Sequence, residues 1–264
     1  MHVIVDGKKL ATKLEASIGG EIRERGLTLS VVYVGDNPIS LRYINMKKKM
    51  GARLGISVEL HVFKTAITEA DLMQEIVRIV ADKNVDGVLV QMPLPQHIST
   101  EKIVSGISPE KDVDALGEHP LVFPPVVGAI REICKEYAVS MNGKHVVVIG
   151  KGKLVGKPVA EWARKEGAFV EVVDRSTKNP EMIFKKADVL ISGAGVPSLI
   201  TPEKIKSGVI LFDAATSEMS GKLVGDIDPA CANKAALYTP VPGGIGPLTV
   251  VLLFKNLLEL AERA

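Results

Sequence analysis

Cysteine is scarce in this chain: Cys134 and Cys231 are the only two in 264 residues, and their separation matches no metal-binding spacing. Two such residues read as buried thiols in a reducing compartment rather than as a disulfide framework. Aromatic residues amount to 4% and the net charge is +2, so neither stacking surface nor a basic field argues for a nucleic-acid partner. The longest apolar runs have the length of a strand, well short of a membrane span. His2-Val3-Ile4-Val5-Asp6 follows Met1 with no basic start leading into a long apolar stretch, so no secretory signal is read there. The five histidines (His2, His61, His97, His119, His145) are scattered and form no cluster. These absences lead to the expectation of a soluble cytoplasmic protein with no metal site and no nucleic-acid or membrane partner.

What is present is an ordinary globular balance, 46% hydrophobic and 24% charged. The length permits one large domain or two modest ones. Apolar runs of strand length alternate with segments of helical spacing. Strands are expected at residues 29–34, 58–63 and 85–90, and helices at 40–54 and 68–81. Thr68 with Asp71 reads as a capping-box-like start, with Leu72, Ile76, Val77, Ile79 and Val80 supplying the apolar face. The apolar strands point to a parallel sheet covered on both faces.

Periodicity fades over residues 108–125, which hold Pro109, Pro120, Pro124 and Pro125, and this stretch is taken as a domain junction. The alternation then resumes, with helices at 127–136 and 157–166 and strands at 145–149, 169–173, 189–192, 209–213 and 235–239. A helix at 248–262 ends it and is too apolar on one side to stand free. The fold class expected is α/β, with two domains: residues 1–118 completed by the helix at 248–264, which packs back on them, and residues 119–247, a Rossmann-like parallel sheet.

Two glycine-rich loops carry the first chemical signal. Gly150, Gly152 and Gly156 sit between an apolar strand and a helix with Pro158 in its first turn. Glycines there permit a tight turn and close backbone approach to a pyrophosphate, while unpaired N–H groups of the helix face the anion. A purely structural turn is the competing explanation. Asp174 closes the next strand, where a carboxylate accepts from the 2′-hydroxyl of NAD and repels the 2′-phosphate of NADP. Arg175 beside it favours phosphate, Lys151 and Lys153 add positive charge, and the residues leave NAD and NADP both open. The second loop, residues 239–249, has three prolines, three glycines and no charge. Such a stiff, side-chain-poor segment suits a wall for a flat ligand as well as it suits a tight connection.

The polar candidates lie in the first half. Tyr43 and Lys47 are four residues apart on a helical segment, on one face; the Lys47-Lys48-Lys49 run could equally be a solvated face. Gln91 ends an apolar strand, at the end of a parallel strand that usually faces a ligand. Asp112 and Asp114 are either turn caps or acceptors for the amino-pyrimidine edge of a pterin.

Taken together, Tyr43-Ile44-Asn45-Met46-Lys47, Leu89-Val90-Gln91-Met92-Pro93-Leu94, Pro109-Glu110-Lys111-Asp112-Val113-Asp114, the loop at 150–158, Val224-Gly225-Asp226-Ile227-Asp228 and the loop at 239–249 resemble the bifunctional methylenetetrahydrofolate dehydrogenase/cyclohydrolase family over nearly the whole chain. The resemblance implies hydride transfer from methylene- to methenyltetrahydrofolate with NADP as acceptor (NAD possible), followed by hydration to 10-formyltetrahydrofolate. It also implies a homodimer, and an active site between the folate-side and Rossmann domains. Lys47 would be the catalytic lysine, Gln91 the partner that holds it, and Tyr43 a stacking residue that orients it. Asp114 would anchor the pterin, while Pro242, Gly243 and Gly244 shape the wall beside it. Gly150, Lys151, Gly152, Val155, Gly156, Asp174, Arg175, Ser176 and Thr216 would bind the cofactor.

The chain departs from the family pattern at Ala115, where glycine is common, across residues 115–127, at Gly152 in place of serine, and at Ala214-Ala215-Thr216. Other functions remain to be separated from this one: a dehydrogenase lacking useful cyclohydrolase activity, a nucleotide- or folate-binding protein without turnover, and a dehydrogenase of small hydroxy acids. The last would need a histidine or arginine at its site.

Overall fold

The structure, a computed structural model, describes residues 2–263, the side chain of Ile39 excepted. Met1 and Ala264, where the expected division begins and ends, lie outside the described residues. The chain forms two compact units, one of residues up to Thr12 with Val126–Thr249 and one of Lys13–Pro125 with the residues from Val250 on. The expected division at 118/119 and 247/248 differs from these bounds at the amino end above all. Val3–Ile4 (β1) pairs in parallel with Leu237–Tyr238 (β11), which ties the first residues to the second half of the chain. The change from one unit to the other falls inside the first helix, Gly7–Arg25 (α1), which sequence patterning did not single out.

In the unit of Lys13–Pro125 the sheet contains Thr28–Val34 (β2), Ser57–Phe63 (β3) and Gly87–Val90 (β4), all parallel in the order β3-β2-β4. Period-two alternation divides its side chains. Val32, Val34, Val88 and Val90 join Leu72, Ile76 and Ile79 of Glu69–Ala81 (α3) and Ile103 of Thr100–Ser105 (α4) in one core. On the opposite face a Cβ on Gly87 would lie 2.6 Å from Leu257 and 2.6 Å from Val113, and 3.6 Å from Leu29. Pro38–Leu54 (α2) approaches β3 through Gly51, where any side chain would collide with Val58. The expectation of strands covered on both faces holds for β2 and β4 but not for β3. β3 lies at one end of the strand order, and Ser57 and Glu59 on one of its faces and Val62 on the other are exposed.

Thr68 caps α3 as expected, its Oγ1 accepting from the Asp71 N–H at 3.1 Å and donating to the Asp71 carboxylate at 2.7 Å. The proline-rich junction is less irregular than its sequence suggests, because Asp112 makes a parallel bridge to Val88 and so extends the sheet by one residue. Ala115 holds φ at +53°, a conformation that costs an alanine about 1 kcal/mol and a glycine almost nothing.

The other unit carries a six-stranded sheet in the order β1-β11-β8-β7-β5-β6, every paired neighbour parallel. Its remaining strands are His145–Ile149 (β5), Phe169–Val173 (β6), Val189–Ser192 (β7) and Ile210–Asp213 (β8). The helices of this half of the chain are Pro125–Glu136 (α5), Gly156–Lys165 (α6) and Pro180–Phe184 (α7). Ser217–Met219 (β9) and Lys222–Val224 (β10) make a separate antiparallel hairpin that the sequence reading missed. Val147, Ile149, Leu190 and Leu211 share a core with Phe184, Ile205 and Cys231. Because β5 pairs with β6 on one side and β7 on the other, the chain reverses direction across the sheet at β5/β7, where doubly wound sheets bind ligands.

Ile245–Ala261 (α8) ends the fold, and from Val250 onward it belongs to the unit of β2–β4, as expected of a helix packing back on the first domain. Val250, Val251, Leu252, Leu253, Phe254, Leu257, Leu258 and Leu260 are all buried, so this helix is apolar nearly all round. Asn256 is the polar exception. Its buried amide donates to the carbonyls of Val113 at 2.8 Å and Phe123 at 2.9 Å, fastening the irregular segment to the helix. Replacing Asn256 by Leu orphans both carbonyls and is expected to lower stability by about 2–3 kcal/mol, measured as a shift of the urea midpoint at unchanged slope; an unshifted midpoint would show that the segment is held by packing alone.

Candidate active site and dinucleotide turn

Lys47 lies in the middle of α2, and Gln91 follows the last residue of β4. The Gln91 N–H continues the ladder by donating to the Val32 carbonyl at 2.8 Å, which fixes the residue at the carboxyl end of the sheet. Its side-chain Nε2 donates to the Met92 carbonyl at 2.8 Å, leaving Oε1 to accept from Lys47 Nζ at 2.9 Å. The orientation of the amide is therefore set by its own neighbour, and the lysine meets an acceptor that cannot turn away. Burial pushes the Lys47 amine below the ordinary lysine range, partly opposed by the nearby Asp114 carboxylate. Asp114 moves the other way: burial raises it to about 6, with Lys47 pulling it down and Asp112 adding to the rise. An amine and a carboxyl group, each shifted toward its neutral form in one place, are the groups here suited to proton transfer.

The two aspartates that the sequence left equivalent have different environments. Asp112 is a turn cap, its Oδ2 accepting from the Gly117 N–H at 2.7 Å, while burial raises its pKa and backbone N–H groups from Gly117 to Asp114 oppose the rise. Asp114 is the member that couples to the lysine. Tyr43 sits one helical turn before Lys47 on α2 and is partly exposed.

In the other unit, the loop after β5 closes tightly. Gly150 has φ +95°, and any Cβ on Gly156 would collide with the Gly150 carbonyl oxygen. Val155, the N-cap of α6, offers the helix no side-chain acceptor. The Lys157 N–H donates to the Gly152 carbonyl at 3.0 Å and Pro158 has no N–H, so the Gly156 N–H is the donor of the first turn left for an anion. A Cβ on Gly152 would meet open space. These features suit a pyrophosphate lying against backbone. At the end of β6, Asp174 accepts from the Ser176 N–H at 2.8 Å and Ser176 Oγ at 2.6 Å, and pairs with Lys151 Nζ at 2.6 Å. Hydrogen bonds from Lys151 and then Ser176 hold its carboxyl well below the usual carboxylate range. Arg175 and Thr216 are exposed and stand outside these contacts. In the proline-glycine loop, Gly243 has φ +111°, and its carbonyl accepts from the Gly7 N–H at 2.9 Å. Gly244 is buried and Pro242 exposed. A side chain on Gly7 would collide with the Gly244 carbonyl.

The sequence reading missed the loop after β7. Ser192 Oγ (2.6 Å) and the N–H groups of Ala194 (2.8 Å), Gly195 (3.2 Å) and Val196 (2.6 Å) all donate to the carboxylate of buried Asp226. Gly193 packs under Val155, where any side chain on it would collide, so this loop forms the second wall of the switch point. Asp213, also buried, accepts from the N–H groups of Ala215 (3.2 Å), Asp226 (3.2 Å) and Ile227 (2.8 Å), and burial nevertheless raises it to about 6. Gly193-Ala194-Gly195 after an apolar strand, with Asp226 in a short motif downstream, was the available signal.

Among the described residues no group of three or more His, Cys, Asp or Glu could hold a metal ion, and no helix is long and apolar enough to cross a membrane. The catalytic-domain model of tetrahydrofolate dehydrogenase/cyclohydrolase matches residues 5–114, and its NAD(P)-binding-domain model matches residues 124–264. The bifunctional protein FolD of Nautilia profundicola is 39% identical over 98% of this chain and 97% of its own length. The bifunctional enzyme FolD of Campylobacter jejuni superposes with a TM-score of 0.93 at 32% identity, over 99% of each chain. The Trypanosoma brucei methylenetetrahydrofolate dehydrogenase-cyclohydrolase, solved with NADP and an inhibitor, gives 0.92 at 32% identity, over 99% of this chain and 97% of that one. Likeness at this level from end to end, with both domain models matched in order, makes the chain a member of the tetrahydrofolate dehydrogenase/cyclohydrolase family.

Proposed function

We propose that the chain oxidises 5,10-methylenetetrahydrofolate to 5,10-methenyltetrahydrofolate by hydride transfer to NADP, then hydrolyses that product to 10-formyltetrahydrofolate. The observation that carries this reading is the hydrogen bond from the poorly hydrated Lys47 amine to Gln91, with Asp114 close enough to shift its titration. The unit of β2–β4 would carry the folate chemistry and the six-stranded unit the cofactor.

NADP, when bound, supplies the acceptor for the hydride leaving the one-carbon group. Gly150, Lys151, Gly152, Val155 and Gly156 would hold its pyrophosphate, Asp174, Arg175 and Ser176 its adenosine end, and Thr216 a further contact. Family membership and the positive charges of Lys151, Lys153 and Arg175 favour NADP, with Asp174 opposing. Pro242, Gly243 and Gly244 would form the uncharged wall beside the pterin. Tyr43 would stack on the pterin and orient Lys47, and Asp114 would accept from its amino-pyrimidine edge. No side chain needs to carry charge for the hydride itself, since that step depends on two rings held at close range.

Hydrolysis does require a side chain. Water adds to the cationic one-carbon centre, and the Lys47 amine takes a proton from it as the C–O bond forms. When the bond to N5 breaks, the same proton passes to N5 and the second water proton leaves to solvent. The formyl group remains on N10, with one proton released overall. Burial disfavours the charged form of the Lys47 amine and so favours the neutral form that takes the first proton. Cytoplasmic location and a homodimer follow from the same family reading, the latter to be checked by light scattering in solution.

Lys47→Met is expected to cut hydration of methenyltetrahydrofolate by about a hundredfold or more, followed by decay of its near-ultraviolet absorbance; a variant hydrating at the normal rate would remove the lysine from the mechanism. Asp114 supplies the pH dependence. It is ionised above about 6 and protonated below, so kcat/KM for the methylene substrate is expected to fall as pH drops through about 6. In Asp114→Asn that acid limb disappears while KM rises; a limb that persists in the variant belongs to another group.

A further inference from the structure

The Lys151–Asp174 pair has a consequence for cofactor choice that neither residue has alone. Asp174 directly follows Val173, the last residue of β6, the place from which a Rossmann sheet meets the adenosine ribose. In a site built for the ribose diol the carboxylate faces the sugar uncompensated. Here Oδ1 already accepts from Ser176 N–H (2.8 Å) and Ser176 Oγ (2.6 Å), while Oδ2 holds Lys151 Nζ at 2.6 Å. The carboxylate is only 21% exposed and firmly placed, whereas the lysine side chain is 75% exposed on a flexible stem. The aspartate is the fixed partner and the lysine the one able to leave.

We propose that Asp174 sets cofactor selectivity by holding Lys151, so that NAD and NADP are both accepted with a compressed preference between them. The inference rests on the dinucleotide reading of residues 150–156. A 2′-hydroxyl can approach with the ion pair intact. A 2′-phosphate recruits Lys151 only by taking it from Asp174, one anion exchanged for another, and also meets the carboxylate left behind. What the phosphate gains is therefore offset by what the pair loses, and Asp174 acts on the phosphate through Lys151.

The test uses the intact protein and two probes, 5′-ADP and 2′,5′-ADP, titrated by calorimetry at low salt, where exposed charges are least screened. Asp174→Asn keeps the size and the acceptor for Ser176 while releasing Lys151. It is expected to tighten 2′,5′-ADP relative to 5′-ADP by about five- to tenfold, the range open to an exposed ion pair together with relief of repulsion. The ratio of kcat/KM for NADP over NAD should rise by a similar factor. In the Lys151→Met background the same substitution should move the ratio by less than about twofold. A ratio unmoved by Asp174→Asn, with both probes still bound, overturns this inference and leaves the dinucleotide site standing. So does a full-sized effect in the Lys151→Met background, which would mean that Asp174 acts by direct repulsion. Failure of both probes to bind the unaltered protein overturns the inference and the site together.

Discussion

A primary amine taken out of water needs an acceptor that does not move, and Gln91 meets that need at 2.9 Å from Lys47. The glutamine can do so because two of its other bonds are fixed by the fold: its backbone N–H continues the β2–β4 ladder, and its side-chain amide is turned by the Met92 carbonyl. Everything chemical in this unit depends on that chain of constraints. A sheet strand sets the glutamine, the glutamine sets the lysine, and burial lowers the affinity of the lysine for its proton. Asp114 limits how far the amine can go, since a carboxylate nearby favours the charged form.

The second unit solves a different problem by the same means. Its two buried carboxylates, Asp213 and Asp226, are surrounded by backbone N–H groups rather than by cations. Burying an ionised group without partners would cost several kcal/mol; here the partners are the loops that must be shaped. Asp226 draws the 194–196 loop around itself, and those N–H groups are thereby occupied. The loop after β5, with its glycines and its helix lacking a side-chain cap, presents bare backbone where an anion would lie.

Much of this could be read from the residues. β5 and β7 matched their expected bounds because parallel strands buried on both faces are unbroken apolar runs. β6, exposed at the end of the sheet and interrupted by Glu171, matched through its β-branched residues, and α3 announced its start through Thr68 and Asp71. Gln91 could be named because a polar residue ending an apolar strand has few reasons to be there, whereas Lys47 was set apart from its lysine run, and Asp114 from Asp112, by the family resemblance. Other features escaped for physical reasons. α1 contains Gly7, Gly19 and Gly20, which weaken its helical signal. β1 is two residues long, and its partner lies over 230 residues away, so only tertiary pairing makes it a strand. Asp112 and Asp114 look alike in sequence, and the difference between a cap and a titrating group arises from which of them turns toward Gly117. The role of Asp226 depends on a loop thirty residues upstream, and no local pattern encodes such a distance.

The contact between Gly7 and Gly244 bears on how tolerance to substitution would be interpreted in this protein. A methyl group at position 7 meets a carbonyl oxygen of the main chain, which no exchange of side chain elsewhere can move aside. In a saturation screen both positions would stand out as intolerant, and with Pro242 and Gly243 beside them they would be scored as chemistry. For Gly7 the cause is steric: the first turn of α1 and the proline-glycine loop are pressed together backbone to backbone, and one cannot vary unless the other withdraws.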